Sequence, residues 1–141
     1  MLCRDCLAPA AAALLTGCVP FPNLHTFAPA VTGTVTNDRE PVSQATITVS
    51  SQFSQEVRHS ATNRNGAFAT EAIREWRMTA LLLGDPLFAF TLQIEANGTN
   101  YTGYTVLGMG YAPNSIHVVC DIAKPILLRD KQLYCTAEPS R

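Results

Sequence analysis

Lysine is nearly missing from this chain, which carries only Lys124 and Lys131. Charged residues make up 15% of it, the formal net charge is −1, and the arginines are scattered rather than clustered. Polyanions are recognised by concentrated basic surfaces, so nucleic acid and anionic membrane surfaces are poor partners on charge alone. No apolar run approaches the ~20 residues needed to cross a bilayer as a helix. Histidine is scarce too. His25, His59 and His117 stand apart, and none has a second histidine two or four positions away beside a carboxylate or thiolate. That spacing is what a metal site on one strand or helix requires, so no metal ligand set is read here. A serine nucleophile elbow, a phosphate-cradling glycine loop and a paired-carboxylate site are also lacking. No catalytic residue and no cofactor is therefore expected, and a small hydrolase is the least favoured class.

With 141 residues the chain has room for one domain. An apolar share of 47% is ordinary for a chain that folds. The five cysteines fall into three groups: Cys3 and Cys6 near the start, Cys18, and the late pair Cys120 and Cys135. Arg4 is followed by an alanine-rich apolar stretch from Leu7 to Leu15, then by small residues. A charged start, a short apolar stretch and small residues before a cut describe a secretory signal peptide.

Leu15-Thr16-Gly17-Cys18 resembles the lipobox of bacterial lipoproteins. The resemblance implies lipid on the Cys18 thiol, cleavage before it, and acylation of the new amino terminus. Several acyl chains on one residue meet the two-signal requirement for stable anchoring. The residue after the cysteine is Val19 rather than the aspartate that commonly retains lipoproteins in the inner membrane. The expected location is thus the outer membrane, facing the periplasm, with the membrane itself as partner through the lipid. The expected division is a leader over 1–17, an anchored tether over 18–29, read from Pro20, Pro22 and Pro29, and a folded domain over 30–141. In an oxidising compartment Cys120 and Cys135 are expected to pair, although a redox or metal pair stays open at this point.

Beyond Ala30 the dominant period is two. Val31, Gly33 and Val35 alternate with threonines, and Ala45, Ile47 and Val49 do the same. A weaker polar strand covers Gln55 to Ala61, and a short one Ala67 to Thr70. Phe88, Phe90, Leu92, Ile94 and Ala96 give the longest alternation, and Thr99 to Leu107 returns from it. Ile116, Val118, Cys120 and Ile122 form another inward face, and Gln132 to Thr136 a last strand. Asn65-Gly66 and Asn97-Gly98 each read as a tight hairpin, because both central positions of a type I′ turn need positive φ. The pattern predicts an all-β fold, an antiparallel Greek-key sandwich of about seven strands.

Gly33-Thr34-Val35, Pro41-Val42 leading into Ala45 to Val49, and Thr62 to Phe68 together resemble the carboxypeptidase regulatory-like domain, a transthyretin-like sandwich. The match covers residues 30 to 70. It implies a binding, spacer or accessory module without catalytic residues. Some transthyretin-like proteins hydrolyse 5-hydroxyisourate and end in Tyr-Arg-Gly-Ser; this chain ends Glu138-Pro139-Ser140-Arg141. The expected function is a non-enzymatic envelope lipoprotein, a binding or accessory module of unknown ligand that takes an envelope protein or another envelope component as partner. The alternative is a scaffold lipoprotein of a secretion assembly. Partner contact is sought in Trp76 to Phe90, with Trp76, Leu82 and Phe88 as candidate residues, against core strands around a turn as the plainer reading.

Overall fold

The computed structural model describes residues 20–79 and 85–138, and no helix occurs among them. The strands are β1 (Phe21–Ala28), β2 (Ala30–Asn37), β3 (Glu40–Pro41), β4 (Thr46–Ser51), β5 (Val57–Ala61), β6 (Ala67–Thr70), β7 (Ile73–Thr79), β8 (Leu87–Ala96), β9 (Thr99–Met109), β10 (Ser115–Asp121), β11 (Ile126–Leu128), β12 (Lys131–Leu133) and β13 (Cys135–Glu138). The fold is an all-β sandwich. One sheet runs β13-β10-β2, with β3 and β6 both on the far side of β2; the other runs β5-β4-β8-β9. A two-stranded ribbon, β1 with β7, and a β11–β12 hairpin complete it.

The period-two residues do what their spacing demands. Val31 and Val35 from β2 and Val118 and Cys120 from β10 meet Ile47 and Val49 from β4 and Phe90, Leu92 and Ile94 from β8 in one buried cluster. A fully buried side chain of this size contributes about 1.5–3 kcal/mol. These residues define the interior between the two sheets, and their polar neighbours face outward.

The expected tether is corrected. Residues 21–28 are a strand paired antiparallel along β7, with His25, Phe27 and Ala28 buried. Prolines do not forbid this. Pro22 lies in a two-stranded ribbon, where an edge strand tolerates a missing amide hydrogen. Pro29 is itself fully buried at the step from β1 to β2. The expected antiparallel sandwich is present with one exception among the described residues: β2 and β10 pair in parallel from Ala30↔Ser115 to Thr36↔Asp121. Alternation reports which face is buried, not strand direction.

Of the two expected hairpins, Asn97-Gly98 is one. Both residues have positive φ, 52° and 74°, between β8 and β9. Asn65-Gly66 is not. Only Gly66 has positive φ, and the chain crosses there from β5 in one sheet to β6 in the other. The Asn63 side-chain oxygen accepts the amides of Asn65 and Ala67, which closes the turn locally. The last expected strand is broken at Tyr134, whose amide turns aside to the carbonyls of Thr102 and Gly103 on β9. With such short pieces counted, the strands outnumber the seven expected.

The β2–β3 turn, with Asp38 and Arg39 at positive φ, is tied to the end of β10. Asp121 Oδ1 accepts the amides of Asp38 and Ala123, each at 3.0 Å, and Lys124 Nζ lies 2.9 Å from Asp38 and 3.6 Å from Asp121. Partial burial works against the Asp121 charge, but the two amides and Lys124 outweigh it and hold the carboxyl below the usual carboxylate range. A lowered folded value stabilises above the unfolded pKa and is lost as pH falls through the folded one. Asp121→Asn keeps the acceptor and removes the charge. It should cost less than about 1 kcal/mol at neutral pH, because water screens the group, and the difference should shrink below about pH 4. Denaturant unfolding of both proteins across pH checks this.

Candidate functional site

Cys120 and Cys135 face each other across β10 and β13 and form a disulfide. Both are buried, at 0% and 3% exposure, inside the shared core. Their thiols are spent on each other, which removes the metal-pair reading. Cys18 and Leu82 lie outside the described residues. Trp76 and Phe88 are not brought together. Phe88 is half-buried against the core, its ring packed over Gly108 of the neighbouring strand. Trp76 is 70% exposed, so the plainer reading as a core residue does not hold for it.

Trp76 owes its place to the ribbon. Along β7 the odd-numbered residues turn inward: Ile73 is fully buried, Glu75 is half-buried, and Arg77 reaches Phe27. Arg74, Trp76 and Met78 turn outward, opposite Thr26, Leu24 and Pro22 of β1. Leu24 sits directly across from Trp76 and Pro22 across from Met78. The result is an apolar face with Leu24 at 43% and Met78 at 66% exposure. Leu24 and Met78 are not among the expected contact residues. The local signal of Leu24 is only an alternation within a stretch that reads as tether, and the pairing that joins it to Trp76 spans distant parts of the chain, whereas Met78 lies inside the Trp76 to Phe90 segment.

The inward side of the ribbon carries a polar cluster that has no signature in the sequence. Ser54, in the turn after β4, donates to Glu75 Oε1, and Arg77 Nη2 lies 3.0 Å from Glu75 Oε2. The Ser54 hydroxyl first, then Arg77, holds the Glu75 carboxyl below its ordinary range, with desolvation opposing. Arg77 also donates to the Phe53 carbonyl at 3.3 Å and places its guanidinium 5.1 Å from the Phe27 ring centre. Phe53, Ser54, Glu75 and Arg77 line an open cleft of about 520 Å³. His25, opposite Glu75, stacks its ring near Phe27 and Tyr111 at 4.8 and 5.3 Å. Among the described residues it makes no hydrogen bond to Ser54 or Glu75. The serine proton is committed to the carboxylate, so this is not the order of a serine–histidine–acid relay, in which histidine must accept it. The cluster instead fixes the β4–β5 turn to the ribbon.

A second groove, of about 560 Å³, runs between β9 and the β11–β12 hairpin. Val106, Leu107 and Leu128 give it apolar walls, and Arg129 and Lys131 give it positive charge. Among the described residues no carboxylate lies within 4 Å of either cation. His59 and His117 are exposed and hydrogen-bond Thr48 and Thr32 across neighbouring strands, each at 3.1 Å.

An all-β sandwich with open grooves and an apolar ribbon face is the class of protein this fold and surface define. Residues 31–123 match the family described as a domain of unknown function, DUF6795, and the chain belongs to that family. The matched span runs through β10 and leaves out β1. Neither the curated proteins nor the solved structures give a match.

Proposed function

We propose that this chain is a non-enzymatic envelope lipoprotein, a transthyretin-like binding or accessory module held on the outer membrane by lipid on Cys18. The observation that carries this is the buried Cys120–Cys135 crosslink. Structural disulfides belong to oxidising compartments, and the other three cysteines all lie in the leader or at its cut. The lipobox-like Leu15-Thr16-Gly17-Cys18 then supports the route of export and the anchor. Of the two clefts, the β9 groove is the better offer to an envelope protein, since its cations are free to meet carboxylates.

Intact mass and acyl-chain labelling of protein extracted from the envelope test the anchor. Wild type should carry acyl chains and fractionate with the outer membrane; Cys18→Ser should lose the acyl chains and leave the membrane fraction. Wild type that is soluble and unacylated would refute the reading.

A further inference from the structure

We infer that the outward face of the β1–β7 ribbon rests on the leaflet that holds the anchor, with Leu24, Trp76 and Met78 at the boundary between headgroups and acyl chains. This rests on the lipoprotein reading of Cys18.

The first argument is reach. β1 opens at Phe21, three residues beyond Cys18. Three residues span at most about 11 Å even when fully extended. The headgroup zone of one leaflet is itself roughly 5–8 Å deep. A domain joined this closely cannot stand clear of the lipid, and its first strand must meet the surface.

The second argument is register. The ribbon end nearest the anchor is Phe21↔Thr79, followed by Pro22↔Met78 and Leu24↔Trp76. At about 3.3 Å per residue, Trp76 lies roughly 10 Å along the ribbon from that end. The apolar residues are therefore those closest to the lipid. Arg74, opposite Thr26, is farther along.

The third argument is chemistry. Trp76 is 70% exposed, Met78 66% and Leu24 43%. Tryptophan pairs an apolar body with one N–H donor, the combination favoured at the membrane–water boundary. The face carries no carboxylate: its positions are Pro22, Leu24, Thr26, Arg74, Trp76 and Met78. Glu75 turns to the other side and is held there by Ser54 and Arg77. The single charge, Arg74, has the sign that suits a headgroup phosphate.

Trp76 is the only tryptophan, so its fluorescence reads this face alone. The acylated full chain is reconstituted into phosphatidylethanolamine–phosphatidylglycerol vesicles with bromine high on the acyl chains. Emission should shift to the blue and fall by roughly half against unbrominated vesicles, as for a side chain buried 5–10 Å into the boundary. In Met78→Asp, emission should return toward its aqueous wavelength and quenching should fall. Its melting temperature should match wild type, because Met78 is not in the core. Acylated protein whose Trp76 stays aqueous and unquenched overturns the inference and leaves the anchor intact. A Trp76 shielded in a co-purified complex yet unquenched in vesicles also overturns it, by assigning the face to a protein. A mass lacking acyl chains refutes the anchor itself, and with it the reason for placing lipid here, so the two failures are distinguishable.

Discussion

Cys120→Ala/Cys135→Ala should unfold about 12 °C below wild type, and reductant should move wild type most of the same distance. The bond closes a loop across a sequence separation of 15, for which the chain-entropy account gives roughly 3 kcal/mol. For a domain of this size each kcal/mol moves the midpoint by about 4 °C. The location adds to the effect. Both sulfurs lie in the core, where a Cβ on Gly103 would come within 2.7 Å of Cys135 Sγ and meet Leu92 on its other side. Deleting both sulfurs leaves a cavity between β13 and β9, whereas reduction leaves the atoms in place. The double variant should therefore be somewhat less stable than reduced wild type. Among the described residues β13 pairs only with β10, so amides of β13 should lose hydrogen-exchange protection first. If reductant leaves the thermal midpoint unmoved, the crosslink does not form in the folded protein.

The disulfide also shows how much of the fold is legible in the sequence. Ile116, Val118, Cys120 and Ile122 alternate, and that spacing alone assigns Cys120 to an inward face. Cys135 lies in a stretch too short to show a period. Faces are readable throughout, because burial on one side of a strand leaves a period-two trace: Val31 to Val35, Ala45 to Val49 and Phe90 to Ala96 all turn inward as their spacing demands. Partnership is not readable. The parallel pairing of β2 with β10 joins segments some eighty residues apart in register, and nothing in either segment names the other. The Asn65-Gly66 turn shows the same limit. Its chemistry is local and legible, but whether a turn closes a hairpin or carries the chain between sheets depends on contacts outside it. The ribbon is the least legible part. Pro20, Pro22 and Pro29 suggest an extended tether, and they outweigh the faint alternation of His25 and Phe27. Trp76 stands out by its rarity and Met78 follows it two residues on, yet Leu24 joins them only through strand register.

Gly33→Val should give no folded protein, and Gly33→Ala should cost about 3 kcal/mol. Gly33 sits in β2 between Val118 on β10 and Phe68 on β6. A Cβ there would press into the Val118 carbonyl oxygen, and would stand 2.8 Å from Val118 Cγ2 and 3.1 Å from its carbonyl carbon. The obstacle is mostly backbone, so a rotamer change cannot relieve it. β10 would have to retreat, withdrawing Val118 and Cys120 from the core and straining the crosslink to β13. A valine at Gly33 adds two more methyls to the same clash, and the cost then exceeds the ~5–15 kcal/mol that holds a domain of this kind together. Gly98 supplies the internal control. It has φ of 74° but nothing within 4 Å of its Cβ position, so Gly98→Ala should cost only the left-handed backbone penalty, about 1–2 kcal/mol. Denaturant unfolding of the two alanine variants separates these cases. The comparison also tests the topology, because the close approach exists only if β2 and β10 pair in the parallel register that sets Gly33 against Val118. A Gly33→Ala variant as stable as wild type would mean that this register is wrong.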